Sequence, residues 1–170
     1  MEMMTRYDYV LGIDPDCDRS GVALLRPSGR EFELLTTMGF TELLEELQSL
    51  KARSAAEGFS LKVVIEASWR EKTNWHVQAG KSKAACGEIG HRVGRNHEAG
   101  IKIAEICRWL GLAVEEKLPL RKIWQTRDGK ISHRELVCFT KISRGRTNQE
   151  ERDAALLAWD YAGLPMFMKL

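Results

Sequence analysis

The spacing of hydrophobic positions changes period several times along the chain, and each change marks an element. Tyr9–Ile13 is a short apolar run that stops at Asp14-Pro15, because proline has no N–H to give a sheet ladder. Gly21–Leu25 and Glu31–Thr37 are predicted as two further strands, joined by the turn residues Pro27-Ser28-Gly29. Thr41 is a candidate cap for a helix in which Leu43, Leu44, Leu47 and Leu50 recur at helical spacing. Leu61–Ile65 reads as a buried fourth strand. Residues 68–97 carry mixed signals. Gly80, Gly87, Gly90 and Gly94 weaken a helix, yet Ala85, Ile89, Val93 and Asn96 keep a helical stripe. Glu98–Leu110 is predicted helical, with Ile103, Ile106, Cys107 and Leu110 on one face and Gly111 as its stop. Leu112–Val114 is a short fifth strand. Ser132-His133-Arg134-Glu135 has capping-box spacing and opens a helix to about Lys141. Asn148 caps the last helix, whose buried stripe is Ala154, Leu157, Ala158 and Tyr161, with Gly163 as its stop.

Three meandering strands followed by alternating helix and strand imply an α/β fold, a five-stranded mixed sheet with helices on both faces. The chain has 170 residues, 44% of them hydrophobic, enough for one domain spanning 1–170. No stretch approaches the roughly 20 apolar residues of a membrane helix. The start, Met1–Asp8, is polar and does not read as a signal peptide. Cys17, Cys86, Cys107 and Cys138 contain no CxxC pair, so free thiols and a cytoplasmic location are expected.

The net charge of +2 does not by itself suggest a polyanionic partner, but the distribution does. Pro119–Arg146 holds eight Lys/Arg against Asp128 and Glu135, and Arg70–His97 holds six against Glu71 and Glu88. Glu31–Gly58 reverses the balance, with six Glu against Lys51 and Arg53. One side of the molecule is thus expected to face a polyanion.

Four acids stand where an acid is costly. Asp14 ends the first strand and Glu66 ends Val63-Val64-Ile65. Glu150 and Asp153 are three apart on the last helix, in line with its buried stripe. Clustered carboxylates repel one another and lose hydration, a cost that Mg²⁺ offsets. Asp before Pro is a common turn residue, and acids in a first helical turn favour its dipole; Glu66 has neither excuse. Glu151 is a rival to Glu150, and Asp16 and Asp18 read as loop acids.

The stretch VLGIDPDCDRSGVALL is similar to the first motif of RuvC-type Holliday-junction resolvases, VVIEAS to the second, and NQEERDAALLAWDYAG to the last. The resemblance covers about Tyr9 to Ala162 and implies an RNase H-like fold. It also implies an endonuclease that cuts four-way DNA junctions as a homodimer, leaving 5′-phosphate and 3′-hydroxyl ends. It makes Asp14, Glu66, Glu150 and Asp153 the ligands of Mg²⁺, with Mn²⁺ as a substitute, although the family has Asp where Glu150 stands. Lys122 and His133 (or Arg134) fall where the family places catalytic cations. Trp69 holds the place of an aromatic that works at the junction's bases, and Trp75 lies in the same basic segment. Trp69, Arg70, Lys72, Lys81, Lys83, Arg92, Arg121, Lys122, Lys130 and Arg134 are the expected DNA contacts. Packing against the core is the alternative for either tryptophan.

Other chemistries fit less well. Cys86, His91 and His97 match no standard zinc spacing. An actin-like ATPase needs about twice this length. A ribonuclease H would place an Asp, not Glu66, at the end of the fourth strand. A non-catalytic DNA-binding relative would have no reason to keep the acids together.

Overall fold

The computed structural model describes residues 6–72, 80 and 82–167. Its strands are β1 (Tyr9–Asp14), β2 (Ser20–Arg26), β3 (Glu31–Met38), β4 (Leu61–Glu66) and β5 (Ala113–Lys117). Its helices are α1 (Phe40–Glu57), α2 (Lys83–Trp109), α3 (His133–Phe139) and α4 (Gln149–Tyr161). The sheet order is β3-β2-β1-β4-β5. The first three strands pair antiparallel, and β1–β4 and β4–β5 are parallel. This five-stranded mixed sheet with helices on both faces is the RNase H-like arrangement.

Period-two alternation sends successive side chains to opposite faces. Leu11, Ile13, Val63 and Ile65 pack against Leu43, Leu47 and Leu50 of α1 and Ile103, Ala104 and Cys107 of α2. Val10, Ala23, Leu25 and Val64 face Leu136 and Phe139 of α3 and Ala154–Trp159 of α4. Position 12 of β1 also faces α4, and there glycine is demanded by space. A β-carbon on Gly12 would lie 3.0 Å from Ala158 Cβ and collide with the Ala154 carbonyl. Gly21 of β2 is likewise covered by the backbone of Glu150. The two glycines let α4 rest on the sheet backbone.

Two local expectations change. The first helix begins at Phe40, and Gly39 takes the cap position instead of Thr41. Glu42 Oε2 accepts from Gly39 N at 2.7 Å, and Leu43 N donates to Gly39 O at 3.0 Å. The expected turn at Pro27-Ser28-Gly29 is present and is closed by Arg30 N donating to Pro27 O at 3.1 Å, with Arg30 at positive φ. The larger change is α2, which continues upstream to Lys83 through Gly87, Gly90 and Gly94. Ser82 caps it, with Oγ accepting from Ala85 N at 3.2 Å. Burial of Gly100, Ile103, Ala104 and Cys107 anchors its C-terminal half. A helix anchored in this way propagates at one hydrogen bond per residue, which offsets the glycine penalty. The four cysteines are free thiols. Among the described residues, no helix is long and apolar enough to cross a membrane.

Candidate metal centre

Asp14 and Glu66 reach the same place through sheet register. Ile13 pairs with Ile65 in the parallel β1–β4 ladder, so the next residues, Asp14 and Glu66, end the two strands side by side. Both follow the parity of Gly12 and Val64 and point to the face covered by α4. Because α4 sits close over Gly12, Asp153 in its first turns joins them. All three carboxylates line one cleft of about 720 Å³, together with Glu71, Arg121, Lys122 and Lys130.

The electrostatics of the cleft are those of crowded acids. Burial holds Asp14 well above the ordinary carboxylate range, and the charges of Glu66, Asp153 and Glu150 add to the rise, opposed by Lys130. Burial, then Asp153, raises Glu66 to about 7, with Glu71 adding and Lys130 and Lys122 opposing. Glu150 acts on Asp14 electrostatically but does not line the cleft. Its rival Glu151 serves the helix instead: its carboxylate accepts from Asn148 N at 2.9 Å and pairs with Arg144 at 2.7 Å. A set of half-buried, mutually repelling carboxylates open to a cleft offers the oxygen ligands that a hard divalent cation takes.

A second feature is local to the β1–β2 turn. Asp16, Cys17 and Asp18 place one donor atom each within 4.8 Å of one another, a trio that can hold a metal ion. The carboxylate of Asp16 is also a fastening of the turn. It accepts from Asp18 N at 2.8 Å and from Asn96 Nδ2 at 3.1 Å, while Asn96 Oδ1 accepts from Cys17 N at 2.9 Å. These bonds tie the turn to α2.

No family model matches this sequence, and no curated protein matches it. One solved structure similar in shape is "T. thermophilus RuvC in complex with Holliday junction substrate". The two share 12% sequence identity, over 88% of this chain and 90% of that one, at a TM-score of 0.47.

Only some of the expected cations reach the cleft. Lys122 and Arg121 line the cleft, and Lys122 faces Glu66 electrostatically. His133 does not line it: its Nδ1 lies 2.9 Å from Thr147 Oγ1 at the start of α3. Lys72, Lys83 and Arg134 are exposed and do not line the cleft. Arg92 stands 3.8 Å from Asp18, and Arg70 is 3.8 Å from Glu116. Lys81 and Trp75 lie outside the described residues. Trp69 is half-buried against the α1–α2 core, and its ring occupies the space a β-carbon on Gly100 would need, so packing is the role its contacts display.

The sequence places Lys130 only among the expected DNA contacts. The structure puts it in the acid cluster, with Nζ 2.8 Å from Asp153 Oδ2. Burial lowers its basicity, but the hydrogen bond to Asp153 and the charges of Asp153, Asp14 and Glu66 outweigh that and raise it. Gln149 was missed altogether. Its amide donates to Asp153 Oδ1 at 2.7 Å, a partnership that the i, i+4 spacing on α4 announces. Nothing local distinguishes Lys130 from its exposed neighbours.

The loop carrying both lysines is built, not loose. Glu135 is buried, and its carboxylate accepts from Ser132 N at 2.9 Å, Ser132 Oγ at 2.7 Å and Gln125 N at 2.8 Å. Trp124 stacks on Phe139 at 5.8 Å, and Phe139 packs on Trp159 of α4.

Proposed function

We propose that this protein is a metal-dependent endonuclease acting on branched DNA, with four-way junctions as its preferred substrate. The observation that carries the reading is the convergence of Asp14, Glu66 and Asp153 from two strand ends and a helix in a cleft edged by Arg121 and Lys122. The narrower choice of a junction follows the three sequence motifs, which occur in order across the chain. Under this reading 1–170 is one nuclease domain, and a homodimer places two identical sites on a two-fold symmetric junction.

Asp14, Glu66 and Asp153 would hold Mg²⁺, while Glu150, in the first turn of α4 but outside the cleft lining, would add negative charge beside them. When bound, Mg²⁺ supplies charge neutralisation at the scissile phosphate and acidifies water. The protein's own share is positioning. Lys122 and Arg121 attract the phosphate at the cleft edge. Gln149 orients the Asp153 carboxylate through its amide. The wall formed by Gly90, Val93 and Gly94 of α2 carries little side-chain bulk, and a β-carbon on Gly90 or Gly94 would meet open space, so a nucleic-acid backbone can approach closely.

Purified protein with Mg²⁺ should be tested on labelled four-way junction, flap, duplex and RNA–DNA hybrid substrates, with Asp14→Asn beside the wild type. The expected result is paired nicking of the junction, absent in Asp14→Asn. Cutting by Asp14→Asn at the wild-type rate overturns the site, and exclusive cutting of the hybrid overturns the junction assignment in favour of a ribonuclease.

A further inference from the structure

One cation, Lys130, lies inside the acid cluster. The Lys130 ammonium donates to Asp153 Oδ2 at 2.8 Å, and the Asp153 side chain is only 17% exposed. The backbone that delivers it is pinned on both sides. Gly129 has φ of +70° and backs onto the Lys122 carbonyl, a fit without room for a β-carbon. Trp124 N donates to Gly129 O at 3.1 Å, and Thr126 Oγ1 donates to Lys130 O at 2.5 Å. Ile131, the next residue, is buried at 1% exposure. A lysine free to lie anywhere on a surface needs none of this.

Asp153 has one oxygen engaged by Lys130 and the other by Gln149. Each oxygen keeps a second lone pair, so a divalent cation that takes Asp153 as a ligand arrives beside both donors. The neutral Gln149 amide only competes for a lone pair, whereas the Lys130 ammonium also repels the incoming charge. We propose that Lys130 is the resident counter-cation of the carboxylate cluster: it holds Asp153 in the cleft without metal and competes with the divalent ion for it. This rests on the metal-centre reading above. Lys130 is a positioning residue in this role, and metal affinity is set by the balance between its attraction to Asp153 and that of the ion.

The test is Mn²⁺ binding to the intact protein without DNA, by isothermal titration calorimetry. Wild type, Lys130→Met, Lys130→Arg and Asp14→Asn are compared, with folding checked by circular dichroism. An opposite charge this close shifts a carboxylate's competing equilibria by roughly one to three powers of ten. Lys130→Met should therefore bind Mn²⁺ at least about tenfold more tightly than wild type, Lys130→Arg should stay near wild type, and Asp14→Asn should bind more weakly. Weakened binding by Asp14→Asn with no gain in Lys130→Met overturns the counter-cation role and leaves the metal centre standing. Absence of Mn²⁺ binding in all four proteins overturns both. In the wild type, the Lys130 side-chain methylene resonances should move on Mg²⁺ titration with the calorimetric midpoint. Resonances that stay fixed while metal binds overturn the proposal without reliance on any variant.

Discussion

Replacing Gly12 with alanine tests whether the closeness of α4 to β1 sets the carboxylate cluster. The added methyl would lie 3.0 Å from Ala158 Cβ, 3.1 Å from Ala158 N and well under 3.0 Å from the Ala154 carbonyl. Two of these are backbone atoms of a helix and cannot rotate away. Restoring contacts near about 3.5 Å requires α4 to retreat by about 1 Å. Overpacking of this kind costs roughly 1–3 kcal/mol, or about 2–12 °C of melting temperature for a chain of this size. The retreat carries Asp153 away from Asp14 and Glu66, and a misplacement near 1 Å costs about a hundredfold in rate. The assay pairs thermal unfolding with single-turnover cleavage of a labelled junction, at a temperature where the variant is folded. Junction affinity should change little, because the cations at the cleft edge sit on other elements. A Gly12→Ala protein with wild-type melting and wild-type cleavage would refute the argument. Gly90→Ala is the control: a β-carbon there meets open space, and alanine in a helix interior should add about 0.5–1 kcal/mol.

Without metal, stability should fall as pH rises. Asp14 and Glu66 have folded-state pKa values above their unfolded ones, so the folded protein binds their protons more tightly and is penalised once they ionise. For Glu66 the window runs from the ordinary 4.5 to about 7, a loss of up to roughly 3 kcal/mol, measured by unfolding in EDTA at pH 5 and pH 8; equal stability at the two pH values contradicts the crowding. Lys122→Ala should lower the cleavage rate more than junction affinity, while His133→Ala, which lies at Thr147, should affect cleavage less; single-turnover rates against binding isotherms separate the two. Glu135→Ala removes three hydrogen bonds from a buried carboxylate and should cost about 2–3 kcal/mol, read from urea unfolding. Trp69→Ala should lower the melting temperature by several degrees, since its ring fills the space over Gly100; unchanged melting together with lost junction cleavage would restore base stacking as its role.

The sequence by itself determined the elements and the strand-end acids, because both are written in local periodicity. Val10, Gly12 and Asp14 share a parity, as do Val64 and Glu66, and the caps Ser132 and Asn148 with their partners Glu135 and Glu151 stand at fixed spacing. The register that sets Asp14 beside Glu66, and the descent of α4 onto Gly12 and Gly21, are tertiary facts. They depend on which surfaces meet, and no local pattern carries that. The same holds for α2. Its glycines argue against a helix one residue at a time, and only the anchoring of its far half in the core decides otherwise. The separation of Lys130, inside the acid cluster, from Arg127 and Arg134, outside it, is the sharpest case. All three are cations in one basic run, and only the folded loop, pinned by Glu135 and Gly129, aims one of them at Asp153. A long-range electrostatic contact is made by the fold, whereas propensity and alternation reach only a few residues along the chain.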